Sequence, residues 1–114
     1  MDKDRLEQEV NLLHTRVCYA LSDPKRVLIL YLLSEGGRFV NEIAEMLDIP
    51  QPTVSRHLRV LRERELVQVE RQGTAIRYSL TDVRIIQALD LMRGILSDQL
   101  AANADMFHIQ GEQK

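Results

Sequence analysis

The sequence predicts a mainly α domain with one small β-hairpin, an α+β arrangement of about five helices. Three observations carry that prediction. Apolar residues recur at helical spacing along four stretches and fill a fifth nearly all round. One stretch, near residue 70, switches to alternation on either side of a glycine. Aromatic residues make up 4% of the chain and tryptophan is absent, so leucine, isoleucine, valine and alanine must build the core, a mixture that suits helices.

Leu6, Val10, Leu13 and Val17 share one stripe and predict a first helix over about residues 5–21. A second helix follows in "SDPKRVLILYLLSEGG", where Ser22 or Asp23 can cap, Pro24 suits the first turn, and Gly36 and Gly37 supply the stop. Its "VLILYLL" is apolar nearly all round, as expected of a central core helix. After a short extended "RFV", Val40, Ile43, Ala44 and Leu47 define a third helix that "DIP" breaks. The fourth opens within a three- or four-residue turn. There Val54, Leu58 and Leu61 point one way, and Pro52, Ser55, Arg56 and Arg59 the other. "LVQVE" and "AIRYSL" alternate on either side of "RQGT", which predicts a hairpin turning at Gly73. Thr81 or Asp82 can cap a last helix, over about residues 82–104, with a stripe of Ile86, Leu89, Met92, Leu96 and Leu100. The tail from about Phe107 is expected to fray. With no internal repeat or linker, residues 1–114 read as a single domain.

The composition excludes several classes. Apolar residues at 45% and charged residues at 28% are those of a folded globular chain rather than a disordered one. At 114 residues a monomer buries only roughly two-thirds of its unfolded surface, so a dimer would help. Cys18 is the only cysteine, which rules out an internal disulfide and a multi-cysteine zinc cluster and suggests a reducing compartment. The charged start "MDKDRLEQEVNLLH" lacks an apolar run of signal-peptide length, and no run of about eighteen apolar residues occurs anywhere, so a cytoplasmic location is expected. An enzyme is not expected. The chain has no Gly-rich phosphate loop and no nucleophile–histidine–acid set that its helices would bring together.

Charge is distributed unevenly. Residues 51–78 hold six arginines against three glutamates, while the rest of the chain holds nine basic and fourteen acidic residues. A helix-turn-helix followed directly by a hairpin, both basic within an acidic body, is the electrostatic footprint of a DNA-reading surface. A recognition helix uses its N-terminal residues on base edges. Gln51 suits adenine and Arg56 suits guanine; Ser55 can bond a base or a phosphate, and the carbons of Pro52 and Thr53 can touch a thymine methyl. Arg59, one turn on, is placed for a phosphate. His57 faces sideways, as a packing residue, a phosphate contact or a base contact. The arginines of "RERE" read as solvated. In the hairpin Arg71, Gln72, Thr74 and Arg77 flank Gly73, where a loop tip either enters the minor groove or rests on the backbone, or is simply a solvated turn.

"ALSDPKRVLILYLLSEG" and "VNEIAEMLDIPQPTVSRHLRVLRERELVQVERQGTAIRYSL", with the closing helix, resemble the ArsR-type (arsenic-repressor, SmtB-like) winged helix-turn-helix transcriptional regulators. The resemblance covers roughly residues 15–100 and is most specific in "QPTVSRHLRVLRERELV" and "RQGTAIRYSL". It implies a homodimer pairing first and last helices, two recognition helices on an inverted-repeat operator, and repression relieved by a signal. The dimer interface would use Leu6, Val10, Leu13, Val17, Ile86, Leu89, Met92, Leu96 and Leu100, part of each stripe also packing on its own core. One departure is local: such sequences usually have a serine or similar residue where Pro50 stands, so the recognition helix loses a side-chain cap.

The family's metal motifs are not matched. "VNEIAEM" stands where some relatives have cysteines, and the last helix keeps Asp82 but puts arginine, isoleucine and leucine where histidines would be needed. His14 and His108, near opposite ends of the chain, could meet across a dimer. Hence no metal and no cofactor are expected. Cys18 is either a small buried hydrophobe or a thiol sensor made reactive by Arg16, or by Lys25 and Arg26. The expected protein is thus a homodimeric DNA-binding repressor released by a non-metal signal. The alternatives are a redox-responsive repressor using Cys18 and a winged-helix docking module without an operator.

Overall fold

The structure, a computed structural model, describes residues 1–109, with side chains as far as Ala104. Of the tail expected to fray from about Phe107, residues 107–109 continue the last helix, and the remainder, with the side chain of His108, lies outside the described residues. The chain divides into two compact units, the first ending at Val83 and the second beginning at Arg84.

The first unit opens with α1 (Lys3–Leu12), capped by the Asp2 carboxylate, which accepts from the Arg5 N–H at 3.1 Å. The helix then widens into a π-helical stretch over Leu13–Cys18, which helical spacing alone does not predict. Here the Thr15 hydroxyl bonds back to the Leu12 carbonyl at 3.4 Å, competing with the regular ladder. None of the residues of α1 is buried, and the helix end enters the body through the fully buried Ala20.

Asp23 supplies the cap of α2 (Pro24–Leu33), its carboxylate accepting from the Lys25 N–H at 2.8 Å, with Pro24 in the first turn. Ile29, Leu30, Leu32 and Leu33 are buried, but Leu28 stays exposed, so α2 is less enclosed than its composition suggests. Strand β1 (Arg38–Phe39) leads into α3 (Val40–Leu47), where Glu42 reaches back to accept from the Phe39 N–H at 2.9 Å. Then come α4 (Gln51–Glu63), β2 (Val67–Gln72) and β3 (Ala75–Leu80).

The strands form one antiparallel sheet in the order β1-β3-β2, so "RF" adds a third strand to the expected hairpin. Val67, Val69 and Arg71 lie opposite Leu80, Tyr78 and Ile76, and alternation along the pleat puts Glu70 opposite Arg77 on the other face. Ile29 and Leu30 of α2, Ile43 of α3 and Val54, Leu58 and Leu61 of α4 are completely buried and form the core. The architecture is a winged helix-turn-helix.

Thr81 does not cap the final helix. Its hydroxyl donates to the Glu65 carbonyl at 2.9 Å and its N–H to the Leu66 carbonyl at 3.2 Å, tying the end of the hairpin to its start. The second unit is α5 (Arg84–Ile109), which runs five residues past the expected boundary. Among the described residues no helix is long and apolar enough to cross a membrane.

Candidate nucleic-acid interface

The turn between α3 and α4 is built from three residues. Asp48 takes the left-handed conformation (φ 55°), the Ile49 N–H donates to the Ala44 carbonyl at 3.0 Å, and the buried Ile49 side chain anchors the turn. Pro50 then opens α4 with no side-chain cap. Its carbonyl still accepts from the Thr53 and Val54 N–H groups, both at 3.0 Å, and Pro52 fixes φ within the first turn.

Because Val54, Leu58 and Leu61 fasten one side of α4 to the core, the opposite side is held outward. Gln51, Pro52, Ser55, Arg56 and Arg59 are all exposed, and Thr53 is half-buried. Thr53 Oγ1 accepts from Arg56 Nη2 at 3.2 Å, which leans that guanidinium toward the N-terminal end of the helix. The Arg59 side chain makes no hydrogen bond or ion pair among the described residues. A cylinder of this kind, thirteen residues long, is about 20 Å in length and fits a major groove about 12 Å wide.

His57 sits apart from this face. Its side chain is 12% exposed, with Nδ1 3.3 Å from Arg26 Nη1 and Nε2 3.9 Å from Asp23 Oδ2. Burial, the largest influence, pushes the imidazole below its ordinary pKa; Asp23 opposes the shift, while Arg26, Lys25 and Arg56 add to it. The Lys25 N–H bond is the main reason the Asp23 carboxyl lies below the usual carboxylate range.

The hairpin turns through Gly73 and Thr74. Gly73 has φ +65° and Thr74 has no positive φ, the pattern of a type II′ turn that needs glycine first. Arg71, Gln72 and Thr74 are exposed around this tip, and their side chains make no hydrogen bond or ion pair among the described residues. Arg77 is placed differently. Its guanidinium is 3.6 Å from Glu70 Oε1 and lies over Gly37, in the space that a side chain there would fill.

One arginine was misjudged from sequence and the packing role of another went unread. Arg64, read as solvated, is half-buried over the Tyr19 ring at 4.7 Å from its centroid, with Nε enclosed. Arg26 is only 8% exposed and ties together the end of the first helix, α2 and α4. A signal for Arg26 existed: it lies three, four and seven positions before Ile29, Leu30 and Leu33, which puts a charge on the buried stripe of α2.

Cys18 is exposed, not buried as the commonest fate of a free cysteine would have it. It lines a shallow depression of about 440 Å³ with His14, Thr15, Tyr19, Ser22 and Arg64. Among the described residues no three His, Cys, Asp or Glu side chains are grouped to hold a metal ion. Of the apolar stripes, Leu6, Val10, Leu13, Met92, Leu96 and Leu100 are exposed; Val17 and Leu89 are half-buried and Ile86 is buried.

Residues 23–69 match the family model of the bacterial regulatory protein, arsR family. An HTH-type transcriptional regulator of Methanocaldococcus jannaschii is 38% identical over 74 residues, 64% of this chain and 83% of that protein. The chain belongs to the ArsR family. A further relative, the HTH-type transcriptional repressor SmtB of Mycobacterium tuberculosis, is 41% identical over 63 residues, 55% of this chain but only 47% of the repressor. Among solved structures, the homodimeric winged helix-turn-helix DNA-binding domain of a possible ArsR-family transcriptional regulator from Mycobacterium bovis is similar, with a TM-score of 0.74 at 29% identity. That likeness covers 85% of this chain and 89% of the other. The matched segment runs from the Asp23 cap through α4 into β2, so it contains the helix pair and the first three residues of the wing.

Proposed function

We propose that this ArsR-family chain is a cytoplasmic, homodimeric transcriptional repressor that binds an inverted-repeat operator and acts by binding, not catalysis. The observation that carries this reading is the outward face of α4. Gln51, Ser55, Arg56 and Arg59 stand exposed on a helix whose opposite face is locked into the core, beside a hairpin tip bearing Arg71, Gln72 and Thr74. Gln51, Pro52, Thr53, Ser55 and Arg56 read bases, Arg59 anchors a phosphate, and the wing tip rests on the neighbouring backbone or minor groove. Arg77, paired with Glu70, braces the wing.

Homodimerisation is supported by the apolar residues left uncovered on α1 and on α5, and by the homodimeric state of the M. bovis domain. A second copy of the chain is the occupant that covers both helices.

Selection of bound duplexes from a random pool tests the proposal. The enriched sequence should be a pseudo-palindrome whose half-sites lie about one helical turn, roughly 10 base pairs, or a multiple of it apart. A pool that stays random after repeated rounds would leave a protein-docking module as the better account.

A further inference from the structure

Arg26 is a buried cation without a carboxylate in ion-pair contact among the described residues. Its Nε donates to the Ala20 carbonyl at 2.7 Å, and its Nη2 to the Tyr19 carbonyl at 3.2 Å and to Ser22 Oγ at 3.4 Å. Those two carbonyls end the first helix, where the aligned peptide dipoles concentrate negative charge. The guanidinium also lies 5.5 Å from the Tyr19 ring centroid. The remaining arm, Nη1, reaches His57 Nδ1 on α4 at 3.3 Å.

That last contact dictates the state of the imidazole. Arginine can only donate, so Nδ1 must accept and the ring proton must sit on Nε2, which faces Asp23. Adding a second proton would turn Nδ1 into a donor pointed at a guanidinium, and attraction would become repulsion.

We propose that Arg26 is a positioning residue that braces α4 against the end of the first helix through the neutral ring of His57, so that DNA affinity falls when this ring gains a proton. The inference rests on the reading of α4 as the DNA-contacting helix. Hydrophobic anchors hold one side of α4, and this polar strut fixes its rotation next to Arg56. The charged groups facing His57 are Asp23, Arg26 and Lys25 from α2 and Arg56 on its own helix. Three of the four are cations, and burial acts in the same direction, so the neutral form is the one held near pH 7. Arg64, over the same Tyr19 ring, fastens the far end of α4 to the first helix as well.

The sign of the pH effect separates positioning from direct contact. A histidine touching phosphate would bind DNA more tightly once protonated, because it gains a positive charge. A strut that needs the neutral ring does the opposite. At fixed salt, wild-type affinity for the selected duplex should fall roughly fivefold or more between pH 7.5 and pH 5.5. His57→Asn keeps a side-chain acceptor near the place of Nδ1 and cannot titrate; it should bind like wild type at pH 7.5 and lose most of that pH dependence. Tighter wild-type binding in acid, or an equal decline in His57→Asn, would overturn the proposal. Nitrogen-15 NMR of the free wild-type protein tests the strut without DNA. The proton of His57 should be found on Nε2 at pH 7.5, and a proton on Nδ1 would refute the Arg26 contact. Wild-type protein that shows the Nε2 proton but enriches no duplex would instead remove the repressor reading, and with it the role of the strut in DNA binding.

Discussion

Arg56 and Arg59 differ by three positions on one helix, yet in the proposed repressor their surroundings suit them to different work. Arg56 is drawn by Thr53 toward the start of α4, the end proposed to read bases, whereas Arg59 is exposed a turn later. Arg56→Ala should weaken operator binding by about 1 to 3 kcal/mol and relax preference at one position of each half-site. Arg59→Ala should weaken all duplexes alike and make the salt dependence shallower by about one phosphate's worth. Competition binding with operator and scrambled duplexes checks both, and the reverse pattern would exchange their roles. At this scale the exposed residues were legible and the half-buried ones were not. Helical spacing placed Pro52, Ser55, Arg56 and Arg59 outward, but His57, Arg64 and Arg77 lie at the edge of the buried stripe or on the sheet. There the partner decides between solvent and packing, and the partners are 31 positions away for His57 and in another element for Arg64.

Helices announced themselves by their ends as much as by their stripes. The Asp23 cap, the α3–α4 break and the glycine of the hairpin were readable because each satisfies or frees a backbone group locally. The π-helical stretch at Leu13–Cys18 was not, since its apolar spacing also fits an ordinary helix. Nor was β1, two residues long, whose existence depends on the pairing of Arg38 with Tyr78 and Phe39 with Arg77. The unburied apolar residues of α1 and α5 have a direct consequence. Val10→Glu with Leu96→Glu, both at exposed positions, should leave the winged unit folded by circular dichroism and shift sedimentation from dimer to monomer. A double variant that still sediments as a dimer would place the interface elsewhere.

Across the whole chain the net charge is −2, but the helix–hairpin segment is positive and the remainder negative. In the proposed repressor this charge distribution would disfavour DNA away from α4 and the wing and so select one docking orientation. Fold and family were legible from residues 23–80, where cap, turn and hairpin signals agree with the hydrophobic pattern. The inducing signal was not, because the stretches where relatives hold cysteines or histidines present neither here. The central claim, that the basic face of α4 and its wing engage DNA phosphates as well as bases, is tested most directly by operator affinity measured by anisotropy from low to moderate salt. The account predicts affinity in the nanomolar range, falling linearly on a logarithmic plot with a steep negative slope. Weak binding that does not change with salt would contradict it.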